Sequence, residues 1–499
     1  MLLLSPIIIG PSFLLLAGIF ILRRLRSPLA SVPGPWHTLF TSLPLKWHEF
    51  NANRTRHIHA LHLRYGPAVR IAPGEVAFSS AAAVKEIYCS GGSGYDKTEF
   101  YDLFTVYGRR TMFSTLNKED HARRKRVLAD RYANSNIMKP ESLGGIEERS
   151  RRLLSLARRS AAAGGSSGSL DLYISLHSYA FDCASHHLFH PFGADSLQSR
   201  EDEGIMREVT FDSSLQNRLV RYYSPAAHRA MGSVLRLFGA TPRETPLADK
   251  FVLDNSVRGH DASSFTLLSR LSDKSWDLES LSIAAECLDH MAAGIDTTGD
   301  ALCFLMWELS QPRSLGFQER LREELRGAGS AEGWDKLPYL DAVVMEGLRC
   351  FPAIPMSLPR YVPKGGRVVD GHFVPERTIV SCQAHSVHRV DEVVFPSPGL
   401  FDPGRWLVRE GDAERRRSFF AFANGGRGCV GKHLALAEMK ILLRDVYSAY
   451  STLPDKSMSA AEMEMDDQLI SSRPAGQRCL LRFIPDDSRK EPQETWSFS

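Results

Sequence analysis

Phe422-Ala423-Asn424-Gly425-Gly426-Arg427-Gly428-Cys429-Val430-Gly431 sets one cysteine in a loop of four glycines, with an arginine two residues before it. A helical stretch, Lys432 to Leu442, follows at once. Glycines let the backbone curl so that several amide N–H groups can point at one atom, and a helix N-terminus adds positive potential there. Both effects favour a thiolate over a thiol. An isolated Gly-x-Cys would more simply be a buried cysteine in a tight turn. The full spacing, Phe-x-x-Gly-x-Arg-x-Cys-x-Gly, fixes five positions and shifts the balance toward a reactive cysteine.

Working outward from this loop, 499 residues with 43% hydrophobic and 24% charged side chains describe a globular chain with ample material for a core. Wholesale disorder, a collagenous repeat and a polytopic membrane protein are excluded. With 61 Lys+Arg against 58 Asp+Glu the net charge is +3, too balanced for a nucleic-acid partner. Eight cysteines spread along the chain without a Cys-x-x-Cys pair argue against a disulfide scaffold or structural zinc, and fit a reducing compartment.

The N-terminus differs from the rest. Leu2 to Leu22 carries no charge and Arg23, Arg24 and Arg26 follow, so the sequence predicts a membrane anchor over 1–22 with everything after it in the cytosol. Pro6, Gly10 and Pro11 weaken that helix. Residues 23–36, with Ser31-Val32-Pro33-Gly34-Pro35, read as a basic, stiff-then-turning linker. The body is assigned to 37–484 and a loose polar tail to 485–499. Ala68–Ile71 and Val76–Phe78 around Pro73-Gly74 predict a hairpin, and Asp370-Gly371 between apolar residues predicts another. Helices are expected over 119–132, 142–159, 172–188, 277–311, 318–326 and 338–351, with the small-residue run 161–169 as a surface loop.

At Phe422–Gly431 the chain resembles the cytochrome P-450 family, the haem-thiolate monooxygenases, and three further segments match in the family's order. Glu346-Gly347-Leu348-Arg349 puts Glu and Arg on one helix face, a spacing also found at Glu148/Arg151, Glu319/Arg322, Glu323/Arg326 and Glu414/Arg417. Context selects Glu346, because Phe401-Asp402-Pro403-Gly404-Arg405-Trp406 resembles the family segment whose arginine joins that pair. Ala293-Gly294-Ile295-Asp296-Thr297-Thr298 is the third match, and His121-Ala122-Arg123-Arg124-Lys125-Arg126 the fourth, with Lys125 where the family has Arg.

The resemblance implies a mainly α protein with a small β region (α+β), the cytochrome P-450 fold, preceded by one transmembrane helix. It implies haem b with Cys429 as the iron's axial ligand. Arg427, His121, Lys125 (or Arg126) and Arg360 would face the haem propionates, with Phe422 beside the sulfur and Gly425 shaping the loop. Glu346, Arg349 and Arg405 would form a buried structural network. Thr297 and Asp296 would activate oxygen and relay protons, although a mid-helix Thr more often bonds back to the preceding turn. His290 and Ala293, on the stripe of Thr297, and Phe100, Tyr101 and Phe104 would touch the substrate; a His290 satisfied by its neighbours is the competing reading. The basic residues Arg123, Arg124 and Lys432 would receive a reductase. The expected activity is insertion of one oxygen atom into a lipophilic small molecule of secondary metabolism. Electrons would come from NADPH through cytochrome P-450 reductase at the endoplasmic reticulum membrane, with the catalytic body in the cytosol and no nucleic acid involved. Oxidative cyclisation, coupling or desaturation, or a non-catalytic haem sensor, are the alternatives.

Overall fold

The computed structural model describes residues 6–89, 94–163, 168–240, 243–328 and 333–486. Helices dominate and the strands are short, matching the mainly α reading with a small β region. The long helix Ser280–Leu309 is the axis of the molecule. It packs along helix Leu172–Phe189, in which every residue except Ile174 is buried, the polar His177, Asp182, His186 and His187 included. Approach is close enough that a Cβ on Gly299 would stand 2.7 Å from the His177 ring. Helices Pro140–Ala163, Pro338–Cys350 and Lys432–Ala449 complete the surrounding bundle.

Among the described residues, four small sheets lie around the bundle. In the largest, Ala68–Ala72 pairs antiparallel with Glu75–Phe78, the hairpin expected around Pro73-Gly74, with Ala72↔Glu75 beside the turn and a register shift that gives Val69↔Ala77 beyond it. Glu75–Phe78 then pairs parallel with Ile379–Cys382, whose other edge is Arg360–Tyr361. That pairing fixes Arg360 at the cavity described below. The hairpin Arg367–Val369/His372–Val374 turns through Asp370 and Gly371, both with positive φ (47° and 77°), as a type I′ turn demands.

Several boundaries differ from the sequence reading. The expected loop 161–169 is shorter at both ends, because its alanines extend the helix to Ala163 and Ser169–Asp171 forms a strand against Leu480–Pro485. Residues 164–167 lie outside the described residues. Pro485 ends a strand rather than beginning a tail, and the rest of the expected tail, 487–499, is likewise not described. The segment after the N-terminal helix is packed on the body. Arg70, itself buried, donates through Nη1 to the carbonyls of Leu29 (2.7 Å) and Val32 (2.8 Å) and through Nε to Thr38 (3.0 Å).

The N-terminal helix is described from Pro6 to Leu25, so that it ends three residues beyond the apolar run. It contains Pro11 and takes Arg23 and Arg24 into its last turn. Among the described residues no helix is long and apolar enough to cross a membrane, so the expected spanning helix is not seen as such.

Candidate active site

The glycine loop closes on itself. Cys429 N–H donates to Phe422 O (2.8 Å) and Gly428 N–H to Gly425 O (3.0 Å). Gly425 sits at φ 72°, and a Cβ there would lie 2.1 Å from Tyr88 O, so only glycine fits. Helix Lys432–Ala449 starts directly afterwards and aims its first amides at the sulfur. Burial raises the Cys429 thiol above its ordinary value. The N–H groups of Gly431 and Lys432 and the charges of Lys125 and Lys432 pull it back only in part. These are the stabilising groups that the sequence of the loop suggests, and a metal cation at the sulfur would complete the task.

Above the loop lies a cavity of about 1380 Å³. Among the described residues Cys429 is the cysteine on its wall. The long helix crosses it with Asp289, His290, Ala293, Asp296 and Thr297. Tyr101, Phe104 and Phe113 supply an aromatic side, and Ala353, Ile354 and Leu358 another.

Four basic side chains converge on this wall: Lys97, His121, Arg360 and Arg427. Among the described residues none makes an ion pair with a carboxylate, although Lys97 and Arg360 are 4% and 3% exposed. Their protein partners are neutral oxygens. Lys97 donates to Phe113 O, Arg427 to Tyr95 O, and Arg360 Nη1 to the Tyr101 hydroxyl (2.7 Å). Arg360 Nε is buried with no partner. Burial and mutual repulsion push Lys97 far down, His121 to about 3 and Arg427 to about 10. Such a set lacks negative charge, and the two carboxylates of a haem fit it.

The other expected site residues are placed as follows. Lys125 is spent on the loop, its Nζ donating to Gly426 O (3.0 Å) and Gly428 O (3.2 Å), and Arg126 is exposed. Phe422 lines the cavity beside Cys429 with Lys432 over its ring. Glu346 and Arg349, both fully buried, pair through 2.9 Å bonds, and Arg405 joins at 3.0 Å. Thr297 donates its hydroxyl to Ala293 O (2.7 Å), the local back-bond. Asp296 accepts from Thr210 at 3.1 Å, and burial raises it to about 7. His290 Nδ1 meets the Tyr132 hydroxyl at 2.6 Å and Nε2 lies 3.4 Å from Glu286, so neighbours occupy its ring while it still reaches the wall. Phe100 stands apart from the cavity and stacks edge-on against Tyr101, Phe104 and Tyr222.

Sequence reasoning missed Lys97, Thr210 and Glu438. Lys97 has no spacing relation to the other cations; only the folded loop brings it there. Glu438 is 2% exposed, and burial holds its carboxyl up at about 8 with a Thr298 hydroxyl as its partner.

The sequence profile of the cytochrome P450 family matches residues 32–479. This chain is a cytochrome P450. Cytochrome P450 monooxygenase stcB of Emericella nidulans is 27% identical over 91% of this chain and 88% of its own length. Cytochrome P450 monooxygenase tazI of Aspergillus terreus is 28% identical, covering 92% and 95%, and BipB of Cochliobolus sativus 29%, covering 89% and 88%. The P450 is accordingly an oxidoreductase of the monooxygenase type that binds haem b through a cysteine thiolate.

Proposed function

We propose that Cys429 is the axial thiolate and that the P450 oxygenates a lipophilic intermediate of secondary metabolism, taking electrons from an NADPH-dependent reductase. The observation that carries this is the convergence of Cys429, the unpaired cations Lys97, Arg360 and Arg427, and Asp296-Thr297 on one cavity. Bound haem supplies the dioxygen chemistry; the chain's residues do the rest. Lys97, His121, Arg360 and Arg427 hold the propionates, and the Gly425–Gly428 turn keeps bulk away from the sulfur. Tyr101, Phe104, Phe113, Ile354 and Leu358 exclude water and orient an apolar ligand. Thr297 exchanges its bond to Ala293 O for one toward the cavity, and Asp296, buried and near neutrality in its affinity for protons, supplies protons behind it.

The N-terminal helix supports membrane attachment with the body on the cytosolic side. Phe13 to Leu16, Ile19 and Phe20 to Leu22 are all exposed, an apolar surface that water does not favour. Phe20 continues through Phe40 to the exposed Trp36 (ring centroids 6.3 and 6.4 Å). Removing residues 1–27 should release the protein from membranes while keeping its haem.

Thr297→Ala tests the chemistry. With reductase and NADPH, haem content should stay and the share of electrons lost to hydrogen peroxide should rise. Unchanged coupling would remove Thr297 from oxygen activation.

A further inference from the structure

Next to Asp296 sits a buried pair with no role in the function proposed above, its Asp300 also lining the cavity. His177 is fully buried and Asp300 is 3% exposed, with His177 Nε2 3.4 Å from Asp300 Oδ1. His177 Nδ1 lies 2.6 Å from Tyr173 O. A carbonyl only accepts, so Nδ1 carries a hydrogen. A neutral ring would then turn its Nε2 lone pair toward a carboxylate. A further proton on Nε2 would turn that 3.4 Å contact into an attraction, and neither His177 Nε2 nor Asp300 Oδ1 has another hydrogen-bond partner among the described residues.

The ring cannot turn away. Gly299 leaves it room against the long helix, where any Cβ would meet it at 2.7 Å. Asp300 is one helical turn beyond Asp296 and on the same face. Asp296 itself accepts from Thr210 and lines the cavity next to Thr297. The remaining groups that bear on this cluster are Tyr173 on the facing helix, Asp212 after Thr210, and Arg473 of strand Ser472–Pro474. Taking an ionisable pair out of water is costly, and such pairs gather where function uses them.

We propose that a proton held on His177 Nε2 against Asp300 sets the charge beside Asp296, so that Asp296 passes between acid and carboxylate as it relays protons to the cavity. Each proton leaving Asp296 is replaced from solvent; the pair keeps its own proton, and no electron moves. His177 is thus a positioning residue, since it touches no reacting atom. The inference rests on Asp296 being the proton route.

The test is infrared titration of the haem-loaded, carbon monoxide-bound holoenzyme, with the Asp296 carboxyl band assigned by its loss in Asp296→Asn. His177→Gln leaves the Asp300 charge unopposed, so the band should persist about one pH unit higher, roughly tenfold in proton affinity. Asp300→Asn removes both charges together and should move it less. In the same holoenzyme, nitrogen-15 histidine spectra should show His177 protonated at pH 7 and neutral in Asp300→Asn, a readout that does not need the glutamine variant. A band unmoved by His177→Gln, or a His177 signal indifferent to Asp300→Asn, overturns the proposal. Peroxide release with reductase, NADPH and 7-ethoxycoumarin as the probe substrate separates the two levels. If Asp296→Asn leaves that ratio unchanged, the proton route fails and this inference with it. If Asp296→Asn raises it and His177→Gln neither shifts the band nor changes the ratio, only the role of the pair fails.

Discussion

Replacing Glu346 by alanine should cost the protein far more than any exposed charge change. Glu346 is fully buried and, besides a weak contact from the Cys350 thiol, accepts from five N–H donors among the described residues: Arg349 Nε and Nη2 (2.9 Å each), Arg405 Nε (3.0 Å), Asp402 N (2.9 Å) and Trp406 Nε1 (3.0 Å). Those contacts hold its carboxyl below the usual range, against the burial that alone would raise it. Alanine would leave two guanidinium groups in the interior without a counter-charge, a loss of about 3 to 5 kcal/mol. Arg349 keeps carbonyl contacts to His388, Pro398 and Leu400, so the segment that carries Arg405 would loosen rather than detach. Glu319 is the control: it pairs with Arg322 at 2.6 Å and with Arg326, but is about half exposed, and its removal should cost about 0 to 1 kcal/mol. Denaturant melts of the haem-loaded variants, followed by the Soret band and by circular dichroism, compare them directly. Because the carboxyl is depressed in the folded state, its contribution is present above the unfolded carboxylate value and fades as pH falls through the folded one. Equal midpoints for Glu346→Ala and Glu319→Ala at neutral pH would refute the reasoning.

Two more predictions follow from single residues. Glu438 is raised to about 8, so folding holds its proton and stability declines as pH rises from the unfolded value near 4 to about 8, by roughly 1.4 kcal/mol per pH unit; Glu438→Gln should flatten that part of the stability–pH curve, and identical curves would exclude the buried acid. Gly425→Ala would drive a Cβ into Tyr88 O and should yield protein with little bound haem, whereas Gly426→Ala, with open space around it, should load normally; haem-to-protein ratios measure both.

Local chemistry made much of this molecule legible. The Asp370-Gly371 turn, the Pro73-Gly74 hairpin and the helix after Gly431 follow from backbone preferences that a few residues state openly. The Glu346–Arg349 pair was legible only through the Arg405 segment, since four other Glu/Arg pairs share its spacing. What escaped was set by distant chain. Lys97 looks like any surface lysine until the 95–116 loop folds over the cavity. His177 reads as one more residue of a helix whose polar members give no sign of which neighbour will meet them. Lys125 was placed on the correct helix, but its Nζ reaches the Gly426 and Gly428 carbonyls, a choice between two nearby acceptors that sequence does not encode. At the N-terminus, the helix runs on past the apolar stretch and takes Arg23 and Arg24 into its last turn.

The sulfur of Cys429 is the ligand on which the whole site depends, and the carbon monoxide difference spectrum of the dithionite-reduced protein reads that ligand directly. The wild-type chain should give the strongly red-shifted Soret band of a thiolate-ligated haem, and Cys429→Ser should lose it while the haem retained by Lys97, Arg360 and Arg427 absorbs at the ordinary position. A red-shifted band surviving in Cys429→Ser would contradict the assignment.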